Sequence, residues 1–494
     1  MRRSTPMTPD PTVALTISQE IDLAVGNAGA GMHAFIEVRT SGVDPAALGG
    51  APRAAEVIIV DCSGSMGSPP TKLEAAQRAA GAAVDALRDG TEFAVVRGTH
   101  QARMAFPRHA ERLEVADHDS RARAKARIGH LFAEGGTAIG SWLRLTRELL
   151  AASAAEVKHA VLLTDGHNVV DPELLDDELA LCEGEFVCDA RGIGTGWNSE
   201  ELIRVAGRLN GTASAVLRES DLEAEFERSI RTSMARTLPA LTLRVSLTRG
   251  IGLRFLRQVH PTRRDLTAEG VPVDERAVEF ATHPWAGDEV RQYHLCLTAD
   301  PEDVPLDEEM QLAWVDVASG SDRVPDPAPE PVLVRWRPGS GPPTEMSHVS
   351  KHFSLHEDLT LAANAAHDAY QASDESALLS ALGTTVRLAH QLGHAEVLAE
   401  VAEIVDIHDP AAGEVVIKQH FDGRRLGRLL MFGHVSVSAE VGPRPAPERA
   451  VPVDPALDHV SCRKEGCSAE FPPGTPFCGL CQTRQAGPPD TERG

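Results

Sequence analysis

Residues 56–235 alternate short apolar, β-branched runs with stretches of ten or more residues patterned for helices, and few folds accommodate that rhythm. VIIV (57–60) is a continuous apolar run, the pattern of a central strand covered on both faces. In the stretch after it, TKLEAAQRAAGAAVDALRD, residues Leu73, Ala76, Ala80, Ala83, Val84 and Leu87 fall on one helical face. FAVVRG (93–98), HAVLLTDG (159–166), FVCDARGIG (186–194) and ASAVL read as further strands. RARAKARIGHLF (121–132), WLRLTRELLAAS (142–153), the segment from about Ser199 to Leu209 and DLEAEFERSIRT read as helices. The rhythm predicts a doubly wound, mainly parallel α/β domain, whose ligands bind at the carboxyl ends of the strands.

The flanking sequence has a β rhythm. TVALTI, IDLAVG and MHAFIEV precede the α/β segment, and LTLRVSLTR, LRFLRQV, RAVEFATH, VRQYHLCLTA, MQLAWVDVAS and PVLVRW follow Pro239. Three strands are too few to bury a face alone, so they are expected to join the later set. The expected organisation is a β-sandwich of 12–50 with 238–340, split by an α/β domain at 51–237. Residues 348–442 read as a helical segment, with helices broken near Ser373 and Gly393, ending in a closing strand pair, GEVVIKQHF and LLMFGHVSVSAE. A proline-rich linker (443–458), a cysteine knuckle (459–484) and polar, disordered tails (1–11 and 485–494) complete the plan.

Composition narrows the function. Acidic residues outnumber basic ones 72 to 48, a net charge of −24 over 494 residues. Such a surface repels nucleic-acid phosphates and anionic lipid, so neither is the expected partner. No run approaches the roughly 18 apolar residues of a membrane-spanning helix. The N-terminal MRRSTPMTPDPTVAL has prolines where a signal peptide needs its apolar run, so the expected compartment is the cytoplasm. Eight cysteines, four of them clustered near the C-terminus, point to metal rather than to disulfides in a reducing compartment.

The stretch VIIVDCSGSMG (57–67) carries the chemistry. A buried strand ends on Asp61, and Ser63 and Ser65 follow at alternate positions. EGGTAIG (134–140) brings Thr137 to the same expected edge, and VLLTDG (161–166) brings Asp165. One or two carboxylates with hydroxyls form a set of hard oxygen donors, suited to Mg²⁺ or Mn²⁺. Asp-x-Ser-x-Ser, Gly-Gly-Thr and a late Thr-Asp-Gly, in this order, resemble the metal-ion-dependent adhesion site (MIDAS) of the von Willebrand factor type A domain, over about 180 residues. The resemblance implies that Ser63 and Ser65 ligate the cation directly and Thr137 directly or through water. It also implies that Asp61 and Asp165 supply negative charge from close by. A cation so held is under-neutralised, and an Asp or Glu of a protein partner can fill its open position.

Turnover would need in addition a base or nucleophile beside the metal. His167 is the nearby histidine and reads as a rim residue. A haloacid-type phosphatase would want an Asp where Ser63 stands, and the Walker A loop and Gly-x-Ser-x-Gly elbow are absent. The expectation is a non-enzymatic, cation-dependent interaction protein. Its rivals are an accessory subunit of a chelatase-like ATPase complex and, behind that, a metal-dependent hydrolase.

Cys462, Cys467, Cys478 and Cys481 are spaced Cys-x4-Cys-x10-Cys-x2-Cys, which resembles a zinc ribbon with a closed, structural Zn²⁺ site. Cys182, Cys188 and Cys296 lie in apolar or strand contexts and read as buried thiols, and His352, His356 and His367 as surface residues.

Overall fold

The computed structural model describes residues 12–439 except 20, 26–30, 43–50, 109–111, 169, 171, 195–196, 239, 300–305, 321–323 and 339–347, together with 460–461 and 470–471. The first strands are β1 (Thr12–Gln19), β2 (Asp22–Ala24) and β3 (Met32–Ser41). In β1 the buried residues are Val13, Leu15 and Ile17, the period of two that gives a strand one core face.

The α/β part runs β4 (Ala54–Asp61), α1 (Pro70–Ala86), β5 (Glu92–Gly98), β6 (Ala102–Phe106), β7 (Glu114–Val115), α2 (His118–Ile128), α3 (Ile139–Ala151) and β8 (Val157–Thr164). It continues with α4 (Pro172–Cys182), β9 (Val187–Ile193), α5 (Ser199–Arg208), β10 (Asn210–Val216) and α6 (Leu222–Met234). The sheet order is β10-β9-β8-β4-β5-β6, with β7 also on β5. Pairing is parallel from β10 to β5 and antiparallel for β6 and β7.

Every residue of β4 is buried, which is why its sequence is apolar without alternation. Its side chains serve two cores. Ile58 and Val60 pack with Ala76, Ala80 and Val84 of α1 and Phe226 and Ile230 of α6. Val57 and Ile59 pack on the other face with Trp142 and Leu143 of α3, Leu179 of α4 and Val205 of α5. Truncating one of these, as in Ile58→Ala, removes about 2–5 kcal/mol.

α4, β6 and β7 lie outside the elements expected from the sequence, and α2 starts three residues ahead of the expected 121. Asp117 caps α2 by accepting from the Ser120 backbone N–H at 2.7 Å, and the Ser120 hydroxyl accepts from the Asp117 N–H at 2.8 Å. That reciprocal box starts the helix before its charged, apolar-poor first turn.

After α6 come β11 (Arg236–Leu238), β12 (Thr242–Leu247), β13 (Ile251–His260), β14 (Arg264–Asp265), β15 (Val271–Pro272) and β16 (Ala277–Ala281). They are followed by β17 (Trp285–Ala286), β18 (Glu289–Ala299), β19 (Glu309–Ala318) and β20 (Glu330–Arg337). β1 and β3 join them: one sheet runs β1-β3-β18-β13-β14, another β15-β16-β12-β19-β20-β2. Residues of both sheets, among them Ile36, Val245, Leu295, Val315 and Val332, form a single buried cluster.

The last part is α7 (His348–Gln371), α8 (Glu375–Leu392), α9 (Ala395–Ala402), the hairpin β21 (Val405–Asp409) and β22 (Glu414–Ile417), and α10 (Arg424–Gly433). The breaks fall where Ser373 and Gly393 adopt positive φ, 56° and 65°.

The closing strand pair does not form. GEVVI pairs instead with 405–409, and LLMFG lies inside α10. Leu426, Leu429 and Leu430 have the i, i+3, i+4 spacing of a helix face, and all three are buried. The surface assignment of His356 also fails, for it is buried and its Nε2 accepts from the Val437 backbone at 3.1 Å. α10 docks on the α/β part. Met431 joins the core beneath α3–α5, and Arg424 donates to the Gly194 carbonyl at 3.0 Å.

Beyond residue 439 the described residues are Val460–Ser461 and Glu470–Phe471, which pair antiparallel. Cys462, Cys467, Cys478 and Cys481 lie outside the described residues.

Candidate functional site

β4 lies between β5 and β8, and its neighbours lead the chain off to opposite sides, so the sheet order reverses beside it. A crevice opens at the carboxyl ends of strands at such a point. Asp61 ends β4, and Asp165 directly follows the last residue of β8. Thr137 comes from the loop ahead of α3. That loop is tied to the segment after β4 by two backbone hydrogen bonds, Glu134 N–H to the Cys62 carbonyl (2.8 Å) and Gly64 N–H to the Gly135 carbonyl (2.9 Å). Gly135 has φ 70° and leaves no room for a Cβ, which would sit 2.3 Å from His100 Nδ1.

The hydroxyls form a relay. Ser65 Oγ donates to Asp165 Oδ1 at 2.7 Å, so the 3.0 Å contact between the two serine hydroxyls has Ser63 as donor. Thr137 stands beside them, for a Cβ on Gly166 would meet its Oγ1 at 3.1 Å and Ser65 Oγ at 3.7 Å. Asp61 is held on both oxygens: Oδ1 accepts from the Ser63 N–H at 2.7 Å and Oδ2 from the Thr164 hydroxyl at 2.6 Å. Asp61, Ser63, Thr137 and Asp165 are buried, and Ser65 is exposed, so the cluster opens to solvent at Ser65. Burial pushes the Asp61 carboxyl up to about 6, against the hydrogen bonds from Thr164 and Ser63.

All five residues picked from the sequence therefore meet at one sheet edge. Three contributors were overlooked. Lys72, on the first turn of α1, reaches back into the cluster: Nζ donates to Asp165 Oδ2 and, at 3.0 Å, to the Ser65 carbonyl. Its place at i−4 and i−7 to the buried Ala76 and Ala79 was a readable sign that it faces inward. Thr164 orients Asp61. Asn168 Oδ1 accepts from the Ile139 N–H at 2.8 Å and fixes the start of α3 beside Thr137.

The donor chemistry is that of a hard divalent cation: three hydroxyls and two carboxylates around one opening. Among the described residues no three His, Cys, Asp or Glu side chains stand together in a metal-holding group. A cation at this edge therefore depends on the hydroxyls.

The family model described as the von Willebrand factor type A domain matches residues 55–215. Among solved structures, a von Willebrand factor type A protein from Catenulispora acidiphila is 30% identical, with TM-score 0.75, covering 88% of this chain and 99% of that one. The ArnB paralog VWA2 from Sulfolobus acidocaldarius is 11% identical, with TM-score 0.47, covering 86% and 100%. Proximal thread matrix protein 1 from the mussel byssus, solved with a zinc-occupied MIDAS motif, is 27% identical over 37% of this chain and 46% of that one, with TM-score 0.32. A search of curated proteins returned no match. On the full-length likeness to the Catenulispora protein and the family match over its α/β part, the chain belongs to the von Willebrand factor type A family.

Proposed function

We propose that the protein is a cation-dependent interaction module that grips an acidic residue of a partner protein. The relay Ser63–Ser65–Asp165, with Thr137 alongside and Asp61 behind, carries this reading. Ser63 and Ser65 hold Mg²⁺ or Mn²⁺ through their hydroxyls, Thr137 completes the oxygen set, and Asp61 and Asp165 supply charge. Because hydroxyl ligands are neutral, the ion keeps Lewis acidity for an incoming Asp or Glu carboxylate. His167 is exposed, and the site's carboxylates are occupied by hydrogen bonds that orient rather than transfer protons, so binding rather than turnover is the reading.

The two sheets form a sandwich split by the inserted α/β domain and act, with the helical part, as its platform. Cys462, Cys467, Cys478 and Cys481 hold a structural Zn²⁺ and present a second contact surface. The cytoplasm fits the four buried, unpaired thiols Cys62, Cys182, Cys188 and Cys296. No helix among the described residues is long and apolar enough to cross a membrane.

Capture of partner proteins by the immobilised full chain in Mg²⁺ and in EDTA tests the reading. Bands retained in Mg²⁺, released by EDTA and missing with Ser63→Ala support it; retention indifferent to EDTA overturns it.

A further inference from the structure

The ammonium inside the oxygen cluster changes what the site does with a cation. Lys72 is only 7% exposed, and its partner Asp165 only 1%. The lysine is built in rather than fallen in. Gly194, at φ 76°, leaves its stem room, for a Cβ there would stand 3.0 Å from Lys72 Cδ. The head is fixed by both the Asp165 carboxylate and the Ser65 carbonyl, from the two segments that form the rim. One oxygen of Asp165 thus faces Ser65 and the other is spent on Lys72.

We propose that Lys72 is a resident countercharge that weakens the divalent ion when it binds alone and makes its binding depend on a partner carboxylate. The inference rests on the cation reading given above. Asp61 and Asp165 carry two negative charges, and Lys72 cancels one. A divalent ion then leaves the occupied site with one net positive charge, and an incoming carboxylate brings it to neutrality. Without the ammonium the ion alone would achieve neutrality, and the carboxylate would be the surplus charge. By linkage, whatever makes the ion favour the carboxylate makes the carboxylate favour the ion to the same factor. Metal and partner thereby become co-ligands, each weak without the other. Lys72 acts as a positioning residue, since it touches Asp165 and Ser65 and reaches the ion through them.

The test is Mn²⁺ titration of the full chain followed by electron paramagnetic resonance, in sodium acetate and in sodium chloride of equal ionic strength. Wild type, Lys72→Met and Lys72→Gln are compared, with circular dichroism confirming the fold of each variant. The expected result is one Mn²⁺ site per chain, tightened several-fold by acetate in the wild type. In both variants it is tightened at least tenfold in chloride, with the acetate effect diminished. Wild-type affinity unchanged by acetate overturns the proposal without recourse to the variants, as does a variant that binds Mn²⁺ no tighter than wild type; both leave the cation reading standing. Absence of a Mn²⁺ site from wild type and variants alike removes that reading and the proposal with it.

Discussion

Removing Asp165 without its partner should be far more damaging than removing both. The Asp165 side chain is 0% exposed and that of Lys72 9%. Asp165→Ala strands the ammonium in a buried site and deprives the Ser65 hydroxyl of its acceptor. Leaving one member of a buried ion pair unpartnered costs about 3–5 kcal/mol. Lys72→Met should cost a comparable amount in EDTA, because it leaves Asp165 facing Asp61 with no countercharge. The double variant loses the pair but strands no charge, so it should cost less than either single variant and thus fall short of their sum by more than about 3–5 kcal/mol.

In a chain of several parts one global unfolding free energy is ill defined, so the measurement must be local. Calorimetry in EDTA should show the α/β transition of each single variant lowered by about 6–20 °C. Amide exchange across Ile58–Val60 and Leu162–Thr164 should quicken in the single variants and recover in part in the double. Additive single effects, or singles costing under about 1 kcal/mol, would refute the claim that this pair is a buried, mutually dependent unit.

Four further outcomes follow from the structure. Gly98→Ala would place a Cβ 2.5 Å from the Trp142 ring, whose Nε1 donates to the Thr99 carbonyl; about 1–3 kcal/mol should be lost in thermal melts. Burial pushes His356 down to about 3 and also lowers His260 and His434, from an ordinary value of 6.5. The unfolded chain therefore takes up their protons first, and stability that is complete above pH 6.5 is lost as pH falls toward 3. From pH 7 to 5 His356 alone should forfeit about 2 kcal/mol, read as faster amide exchange at Val435–Ala439. Asp61→Ala should abolish the rise in melting temperature caused by millimolar Mg²⁺ while the metal-free circular dichroism spectrum stays unchanged. Metal analysis of the purified chain should find one zinc per molecule, absent from Cys462→Ser.

The α/β part was legible because its signals are local. VIIV has no alternation because both of its faces are covered, and the helix after it declares its face by its alanines. The five oxygen-bearing residues could be found because each follows the carboxyl end of a strand or precedes a helix. Lys72 passes for a solvated charge at a helix start unless its spacing to Ala76 and Ala79 is weighed, and its partner lies 93 residues away. α10 was misread as a strand because LLMFG is short and apolar, and only the preceding Leu426 discloses the helical period. His356 showed no carboxylate at ligand spacing. Its actual partner, the Val437 backbone, carries no sequence signature.

The seat of α10 on the α/β part has a bearing on how this protein can be dissected. Gly427 lets the helix approach Trp197 so closely that a Cβ there would lie 2.8 Å from the indole, while Arg424 holds the carbonyl of Gly194, the glycine against which Lys72 lies. An excised α/β fragment would therefore lose the clasp behind its own lysine and bare the indole and the Met431 socket to water. Such a fragment would be a lock from which the back plate has been removed.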